Sequence, residues 1–142
     1  MPIVLDTNIA LDLLVFEDPA CVPLAEALAA GRQRWLATAA MREEFVRVLG
    51  YPVIAARLAQ RGRDAAVLLA AFDALAHPAA SARPAPCRCS DPDDQMFIDL
   101  AVAHRSLLLS KDQAVLSMRK SLAALGVEVR PALVIPAAAR QA

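Results

Sequence analysis

This chain of 142 residues has few aromatic side chains and no excess of either charge. Aromatic side chains make up 4% of the sequence, whereas alanine and leucine supply most of the 58% that is hydrophobic, a composition that favours packed helices over a β-sandwich. The 15 basic and 15 acidic residues cancel to a formal net charge of zero. No global field therefore attracts nucleic acid, and any polyanion must be bound by a local patch.

Long apolar runs and a cysteine framework are missing as well. No uninterrupted apolar stretch reaches the roughly 18 residues that a membrane span needs, so we expect no association with a membrane. The three cysteines, Cys21, Cys87 and Cys89, occur without a preceding signal peptide. We therefore expect free thiols in a reducing cytoplasm rather than a disulfide scaffold.

Apolar periodicity predicts strands that alternate with helices. The expected strands are 3–5, 34–37, 107–109 and 127–129, and the expected helices are about 8–16, 22–30, 39–49, 52–60, 63–76, 91–104 and 113–124. This alternation predicts an α/β fold with a small parallel sheet flanked by helices on both faces. We expect a single domain over residues 1–142, with its core at about 2–130 and a C-terminal tail at 131–142. The segment 77–90 is predicted to be a long loop, either functional or mobile.

Two aspartates follow predicted strands at their carboxyl ends. Asp6 comes directly after the first strand, and Asp112 follows the strand 107–109 and the dipeptide Ser110-Lys111. Parallel strands present ligand-binding groups at these ends. Each aspartate is also a competent helix N-cap. Capping alone could therefore explain either residue when it is considered by itself.

Glu44 is predicted to face inward on its helix. It lies beside the apolar stripe formed by Met41, Phe45, Val48 and Leu49, whereas Glu43 points to the opposite, solvent side. A carboxylate near the core needs a partner or a metal ion to offset its desolvation. A surface ion pair of Glu44 with Arg42 or Arg47 is the competing interpretation.

Asp94 is the inward acid of a second predicted helix. It shares a face with Phe97 and Ile98, whereas Asp99 is predicted to face solvent, and Asp91 is explained as the N-cap of this helix. Carboxylates that converge from Asp6, Glu44, Asp94 and Asp112 would repel one another without a cation. The sequence therefore indicates a divalent-metal site and, from there, phosphate chemistry.

Four motifs carry these acids in a fixed order. They are Val-Leu-Asp-Thr-Asn at 4–8, Glu-Phe-Val-Arg-Val-Leu at 44–49, Asp-Pro-Asp-Asp-Gln-Met-Phe at 91–97 and Leu-Ser-Lys-Asp at 109–112. Together they resemble the motifs of PIN-domain proteins, most of all the bacterial toxin components of toxin–antitoxin systems, the VapC-like ribonucleases. The resemblance runs from residue 3 to about residue 130.

The resemblance implies a PIN-like, three-layer α/β/α fold and a metal-dependent endoribonuclease that acts on RNA. It also implies a cognate antitoxin protein that inhibits the enzyme until the antitoxin is degraded, and a homodimer. Asp6, Glu44, Asp94 and Asp112 match the acidic quartet of the family, and Asn8 and Ser110 match its accessory polar positions. Lys111 departs from the Gly or polar residue that is common at its position.

Mg²⁺ or Mn²⁺ suits a ligand set made of oxygen atoms. We expect Asp6 and Asp94 to be the principal ligands, with Glu44 and Asp112 contributing directly or through water. Arginines between positions 42 and 63 are candidates for binding RNA phosphates, and ordinary solvated helix faces are the alternative. The substrate-binding candidates are Arg42, Arg47 and Lys111.

Three other interpretations compete with the nuclease. Zinc binding by Cys87 and Cys89 with His77 or His104 lacks the spacing and the fourth ligand of a structural site. An aspartyl-phosphate phosphatase needs a second aspartate where this chain has Asn8. The third interpretation is a catalytically weak PIN-like module that binds RNA or protein. The presence of all four acids argues against decay of the catalytic site. For an antitoxin helix, apolar faces on 22–30 or 52–76 are the candidate surfaces.

Overall fold

The computed structural model describes residues 1–133 and is built around a five-stranded sheet in which every strand pair is parallel. The strands are β1 (Pro2–Leu5), β2 (Arg34–Ala37), β3 (Ala76–Pro78), β4 (Leu107–Leu109) and β5 (Glu128–Arg130), in the spatial order β3-β2-β1-β4-β5. Helices cover both faces of this sheet, so the predicted three-layer α/β/α fold is confirmed. Residues 134–142, most of the predicted C-terminal tail, lie outside the described residues.

Eight α-helices connect and cover the strands within residues 1–133. They are α1 (Thr7–Leu14), α2 (Val22–Ala29), α3 (Ala39–Leu49), α4 (Pro52–Gln60), α5 (Ala65–Leu75), α6 (Gln95–His104), α7 (Gln113–Leu116) and α8 (Arg119–Ala123). Short 3₁₀ turns at Pro19–Cys21 and Pro92–Asp94 precede α2 and α6. None of the helices in this part of the chain has the length and apolarity required to cross a lipid bilayer.

The strand order changes direction between β1 and β4. From β1 the chain moves outward through β2 to the edge strand β3, then returns to β4 on the other side of β1 and continues to β5. Leu5 and Leu109, the last residues of β1 and β4, are paired in register. Open parallel sheets bind ligands outside the carboxyl ends of their strands at such a switch point. The residues that follow Leu5 and Leu109 therefore lie where a sheet of this kind binds ligands.

The central strands are buried on both faces, which explains why they read as continuous apolar runs in the sequence. Ile3, Val4 and Leu108 have no exposed surface. Beside β2, the ring of Phe72 on α5 packs at 4.6 Å from Trp35 and at 4.9 Å from Phe45, measured between ring centroids. Such aromatic pairs add to the free energy of burial. This cluster fixes α3 and α5 against β2.

Two predicted elements are wrong. The sequence pattern predicts the end of a helix and the start of the 77–90 loop where the structure has strand β3. Its three residues include Pro78, which is tolerated because β3 is an edge strand. The single helix predicted over 113–124 is divided into α7 and α8. The hydroxyl of Ser117 donates to the carbonyl of Ala114 at 3.0 Å, a local bond that competes with continuation of the helix.

Arginines of the α4–α5 region fasten this hairpin to the end of α1. Arg61 donates to the carbonyl oxygen of Val15 at 3.2 Å, and Arg63 donates to that of Leu14 at 3.3 Å. The guanidinium of Arg57 lies 5.5 Å from the ring centroid of Phe16. Cationic groups at the carboxyl end of a helix stabilise its exposed carbonyls. These three arginines therefore have a structural function.

Candidate metal centre

Asp6 lies at the carboxyl end of β1 and is 3% exposed. Its backbone N–H continues the sheet by donating to the carbonyl of Leu109 at 3.1 Å. Its Oδ1 accepts the N–H of Ile9 at 3.0 Å, which makes Asp6 the N-cap of α1. The second oxygen, Oδ2, accepts the hydroxyl proton of Ser110. The capping role and a position at the switch point are thus combined in one side chain.

Ser110 connects the ends of the two central strands. It follows β4 and is fully buried. While its hydroxyl donates to Asp6, the same oxygen accepts the backbone N–H of Asp112 at 3.1 Å. Asp112 in turn caps α7, because its Oδ1 accepts the N–H of Ala114 at 2.9 Å. The hydroxyl group of Ser110 thus joins the carboxylate of Asp6 to the backbone of Asp112.

Asp94 brings a third carboxylate to this point, at the end of the 3₁₀ turn that precedes α6. One carboxylate oxygen from each of Asp91, Asp94 and Asp112 lies within 4.8 Å of the others. These three residues are called the acidic cluster below. Within residues 1–133, no other group of three or more His, Cys, Asp or Glu side chains is close enough to hold a metal ion. The zinc interpretation with Cys87, Cys89 and a histidine thus has no support in this part of the chain.

The electrostatics of the cluster favour a bound cation. Burial, the adjoining carboxyl group of Asp112 and the charges of Asp91 and Asp6 raise the pKa of Asp94 to about 7. Burial also raises the pKa of Asp6, although the hydrogen bonds from Ser110 and Ile9 oppose this effect. A pKa raised by burial and like charge marks carboxylates whose ionised forms lack sufficient stabilisation. Clustered carboxylates with such pKa values are typical of functional sites.

One oxygen of the cluster has no protein partner. Asp94 Oδ2 is buried and, within the described residues, accepts no hydrogen bond. A buried polar atom in this state costs free energy unless a ligand, ion or water satisfies it. Oxygen ligands in a compact group are those that Mg²⁺ and Mn²⁺ prefer. The donor set and the unsatisfied oxygen both fit a divalent cation.

Glu44 faces a cleft beside the cluster. The cleft has a volume of about 570 Å³, and its polar lining residues are Asp6, Thr7, Asn8, Glu44 and Asp94. Glu44 is half-buried and its Oε1 accepts the hydroxyl proton of Thr7 at 2.9 Å, whereas Glu43 is exposed. The predicted difference between these neighbours on α3 is confirmed. Asp6, Glu44 and Asp94 thus line one cleft. The carboxylates that are close enough to hold an ion include the predicted Asp94 and Asp112 but not Asp6 or Glu44.

The predicted substrate-binding residues lie in different surroundings. Arg42 forms a two-pronged ion pair with Asp73 at 2.8 and 2.9 Å. Lys111 forms an ion pair with Asp12. Arg47 is exposed on α3, and no ion pair or hydrogen bond of its side chain is seen among residues 1–133. The structure therefore leaves Arg47 as the predicted cation that is available to a polyanion.

Asp99 is not the solvent-facing residue that the helical pattern predicted. Its Oδ1 accepts the N–H of Ala85 and the amide of Gln95, each at 2.8 Å. The amide of Gln95 also reaches the loop, accepting from the N–H of Cys89 at 2.7 Å and donating to the carbonyl of Cys87 at 3.1 Å. Asp99 and Gln95 thus anchor the segment before Asp91. The prediction of an exposed Asp99 is wrong because the loop folds back over this face of α6.

Asp91 is the site residue that sequence reasoning missed. It caps the 3₁₀ turn as expected, with Oδ1 accepting the N–H of Asp93 at 3.0 Å. Capping uses only one oxygen of Asp91, and a carboxylate has a second oxygen and further lone pairs. The signal available in the sequence was the three-acid run Asp91, Asp93 and Asp94 around Pro92.

The geometry agrees with a comparison to known protein families. The PIN domain matches residues 2–114, a range that includes Asp6, Glu44, Asp94 and Asp112. A search of curated proteins returns no match for the chain. Acidic residues that converge at the carboxyl ends of the central strands suit the nuclease chemistry that is general in this family. The matched range covers more than half of the sequence, and the chain belongs to the PIN-domain family.

Proposed function

We propose that the protein is a divalent-metal-dependent endoribonuclease that hydrolyses RNA phosphodiester bonds in the cytoplasm, as the toxin of a toxin–antitoxin pair. The observation that carries the hydrolase proposal is the acidic cluster beside Asp6 at the switch point of the sheet. The family supplies the reaction class. Resemblance of the motifs at 4–8 and 91–97 to bacterial toxin ribonucleases supports RNA as the substrate and the toxin role.

The residues that would hold Mg²⁺ or Mn²⁺ are Asp94, Asp112 and Asp91, with Asp6 adjoining them. Their oxygens form a compact, negatively charged set, and Asp94 Oδ2 is buried without a protein partner among the described residues. A cation there offsets the repulsion that raises the pKa of Asp94. When bound, such an ion stabilises charge on a phosphoryl oxygen and makes a water molecule more acidic.

The side chains of this chain contribute orientation and proton transfer. Ser110 and the N–H of Ile9 hold both oxygens of Asp6, so its carboxylate has one orientation before substrate enters. Thr7 orients Glu44 in the same way through Oε1. Glu44 lines the same cleft as Asp94, where a carboxylate can accept a proton from an attacking water molecule. Preorganised groups of this kind lose little free energy to reorganisation during the reaction.

The proposed protein partners are an antitoxin and a second copy of the chain. Apolar side chains remain exposed on α2, α4 and α5, where Val22 is 51%, Val53 78% and Val67 56% exposed. An amphipathic antitoxin helix can bury such residues. Co-purification with the product of the neighbouring reading frame, and sedimentation of the chain alone, test these two partners separately.

A catalytically weak binding module is the second candidate. The observation in its favour is that both oxygens of Asp6 already accept hydrogen bonds from the protein, which reduces what Asp6 can offer to a cation. Each carboxylate oxygen has two lone pairs, so these bonds do not prevent coordination. Retention of all four predicted acids is expected of an active enzyme.

Cleavage of labelled single-stranded RNA distinguishes the two candidates. The chelator-treated protein is assayed with no metal, with Mg²⁺ and with Mn²⁺. Asp94→Asn should abolish metal-dependent cleavage, and Glu44→Gln should reduce it strongly, whereas the matched control Glu43→Gln should leave it near normal. RNA that is bound but never cut with either metal would establish the binding module and refute the nuclease.

A further inference from the structure

Tyr51 is the exposed member of an otherwise covered set of aromatic side chains. Its exposure is 50%, whereas four of the others are at most 3% exposed, namely Trp35, Phe45, Phe72 and Phe97. The remaining aromatic residue, Phe16, is half-buried and carries the guanidinium of Arg57 on its ring. An exposed aromatic ring in a chain with so few of them is a candidate binding residue.

Tyr51 belongs to the cleft that contains the carboxylates. The lining of this cleft includes the ring of Tyr51 with the apolar side chains of Val48, Pro52 and Val53, and it includes the carboxylates of Asp6, Glu44 and Asp94. Glu44 and Val48 lie on α3, whereas Tyr51 follows the end of this helix and directly precedes α4. Carboxylates and an exposed aromatic ring therefore line the same cleft of about 570 Å³.

The backbone holds Tyr51 in one conformation. Its φ of −66° and ψ of 141° are extended values, which Pro52 imposes on the residue before it. The N–H of Tyr51 donates to the carbonyl of Val48 at 3.0 Å, and its carbonyl accepts the N–H of Ala55 at 2.8 Å. The backbone that carries the ring is thus fixed before any ligand binds, which lowers the entropic cost of binding.

We propose that Tyr51 stacks on an unpaired base of the RNA strand, next to the phosphate that is held at the carboxylates. This inference rests on the proposed function, since it names a base-binding position in the same cleft. A nucleotide joins a flat, largely apolar base to an anionic phosphate. The cleft offers an aromatic ring for the base and carboxylates that, with a bound cation, can hold the phosphate. Stacking on one ring accepts any base, and a paired base cannot reach it. The position therefore selects single-stranded segments without selecting a sequence.

Fluorescence anisotropy with two probes tests the stacking. The probes are a labelled single-stranded RNA of mixed sequence and a strand of the same length without bases, both measured in Mn²⁺. Tyr51→Ala should weaken binding of the RNA on the order of tenfold to a hundredfold and should leave binding of the strand without bases unchanged. Tyr51→Phe and Tyr51→Trp, which keep an aromatic face, should bind the RNA like the natural protein. In cleavage assays, Tyr51→Ala should raise KM and change kcat little.

Two results would overturn the proposal, and both differ from a failure of the nuclease. An equal loss of affinity for both probes would show that Tyr51 does not contact a base. Unchanged affinity, accompanied by conversion of a dimer into monomers, would assign Tyr51 to an interface between copies. If the natural protein cleaves no RNA but Tyr51→Ala still weakens RNA binding alone, hydrolysis fails and the stacking position stands.

Discussion

Ser110 donates its hydroxyl proton to Asp6 and accepts the backbone N–H of Asp112 at 3.1 Å. These two contacts join the ends of β1 and β4, which are 104 residues apart at Asp6 and Ser110. Because the hydroxyl is fully buried, neither contact competes with water. The carboxylates at the switch point are therefore positioned by the fold before a cation arrives.

Replacement of Ser110 by alanine should weaken binding of Mn²⁺ by about 10–100-fold, as expected for loss of a residue that orients a metal-binding carboxylate. Removal of this donor leaves Asp6 Oδ2 buried without its partner, so the free energy of unfolding should also fall, by about 1–3 kcal/mol. Isothermal titration with Mn²⁺ and urea unfolding measure the two effects. The change removes one oxygen atom and preserves the packing of the strand end.

Ser106→Ala is the matched control for this prediction. Ser106 precedes β4 as Ser110 follows it, is 2% exposed, and its hydroxyl has no hydrogen-bond partner among the described residues. Its replacement should leave metal affinity unchanged and should not reduce stability. Similar losses of Mn²⁺ affinity in both variants would contradict the orienting role of Ser110.

The stability of the metal-free protein should fall as the pH rises from about 4 to about 7. The pKa of Asp94 is raised in the folded protein from 3.8 to about 7, so between these values the folded state binds more protons than the unfolded state. Stability then decreases with pH until Asp94 is ionised in both states. The pKa of Asp6 is also raised, and its contribution has the same sign.

Urea unfolding of the natural protein and of Asp94→Asn, in chelator at pH 5 and at pH 8, isolates this contribution. The variant should lose less stability between the two pH values, because its amide does not ionise. Addition of Mn²⁺ at pH 8 should stabilise the natural protein more than the variant. If the natural protein loses no more stability between pH 5 and pH 8 than the variant does, the assignment to Asp94 is refuted.

Much of the site follows from short-range patterns in the sequence. Asp6 and Asp112 were found because each follows a buried strand, and parallel strands align their carboxyl ends. Glu44 was separated from Glu43 by helical periodicity alone, which specifies the direction of a side chain within one element. Strand ends and helix faces are local properties, so the sequence can predict where these side chains lie.

The parts that were missed depend on contacts between distant segments. Asp99 was predicted to be exposed because the pattern of α6 could not show that the loop before Asp91 would donate the N–H of Ala85 to it. Strand β3 was missed because its three residues acquire their conformation from pairing with β2, against the preference of Pro78. Loop placement and edge pairing are tertiary effects that local propensity does not encode.

Asp99→Ala should weaken metal binding although Asp99 does not line the cleft. The change removes the acceptor that holds Ala85 and Gln95, so the segment that leads to Asp91 should open more often. Hydrogen exchange should accelerate at residues 85–91, and Mn²⁺ affinity should fall about tenfold or more. Asp99→Asn retains an acceptor oxygen and should restore most of both properties. Faster exchange with unchanged metal affinity would separate the loop from the cluster.

Arg47 should contribute to RNA binding through its charge, whereas Arg42 should not. Arg42 is neutralised by Asp73 in a two-pronged pair, but Arg47 is exposed one turn after Glu44 and has no ion pair within residues 1–133. If Arg47 contacts one phosphate, its replacement by alanine should reduce the slope of log affinity against log salt by about 0.7, the value for single strands.

The control for Arg47→Ala is Arg34→Ala, since Arg34 is exposed at the amino end of β2, the edge of the sheet opposite to the carboxylates. RNA affinity measured from low to high salt should give the same slope for Arg34→Ala, Arg42→Ala and the natural protein. A smaller slope for Arg42→Ala than for Arg47→Ala would mean that Asp73 releases Arg42 when RNA binds. Equal slopes in all four proteins would show that none of these arginines contacts an RNA phosphate. The bound cation would then have to supply the positive charge of the cleft.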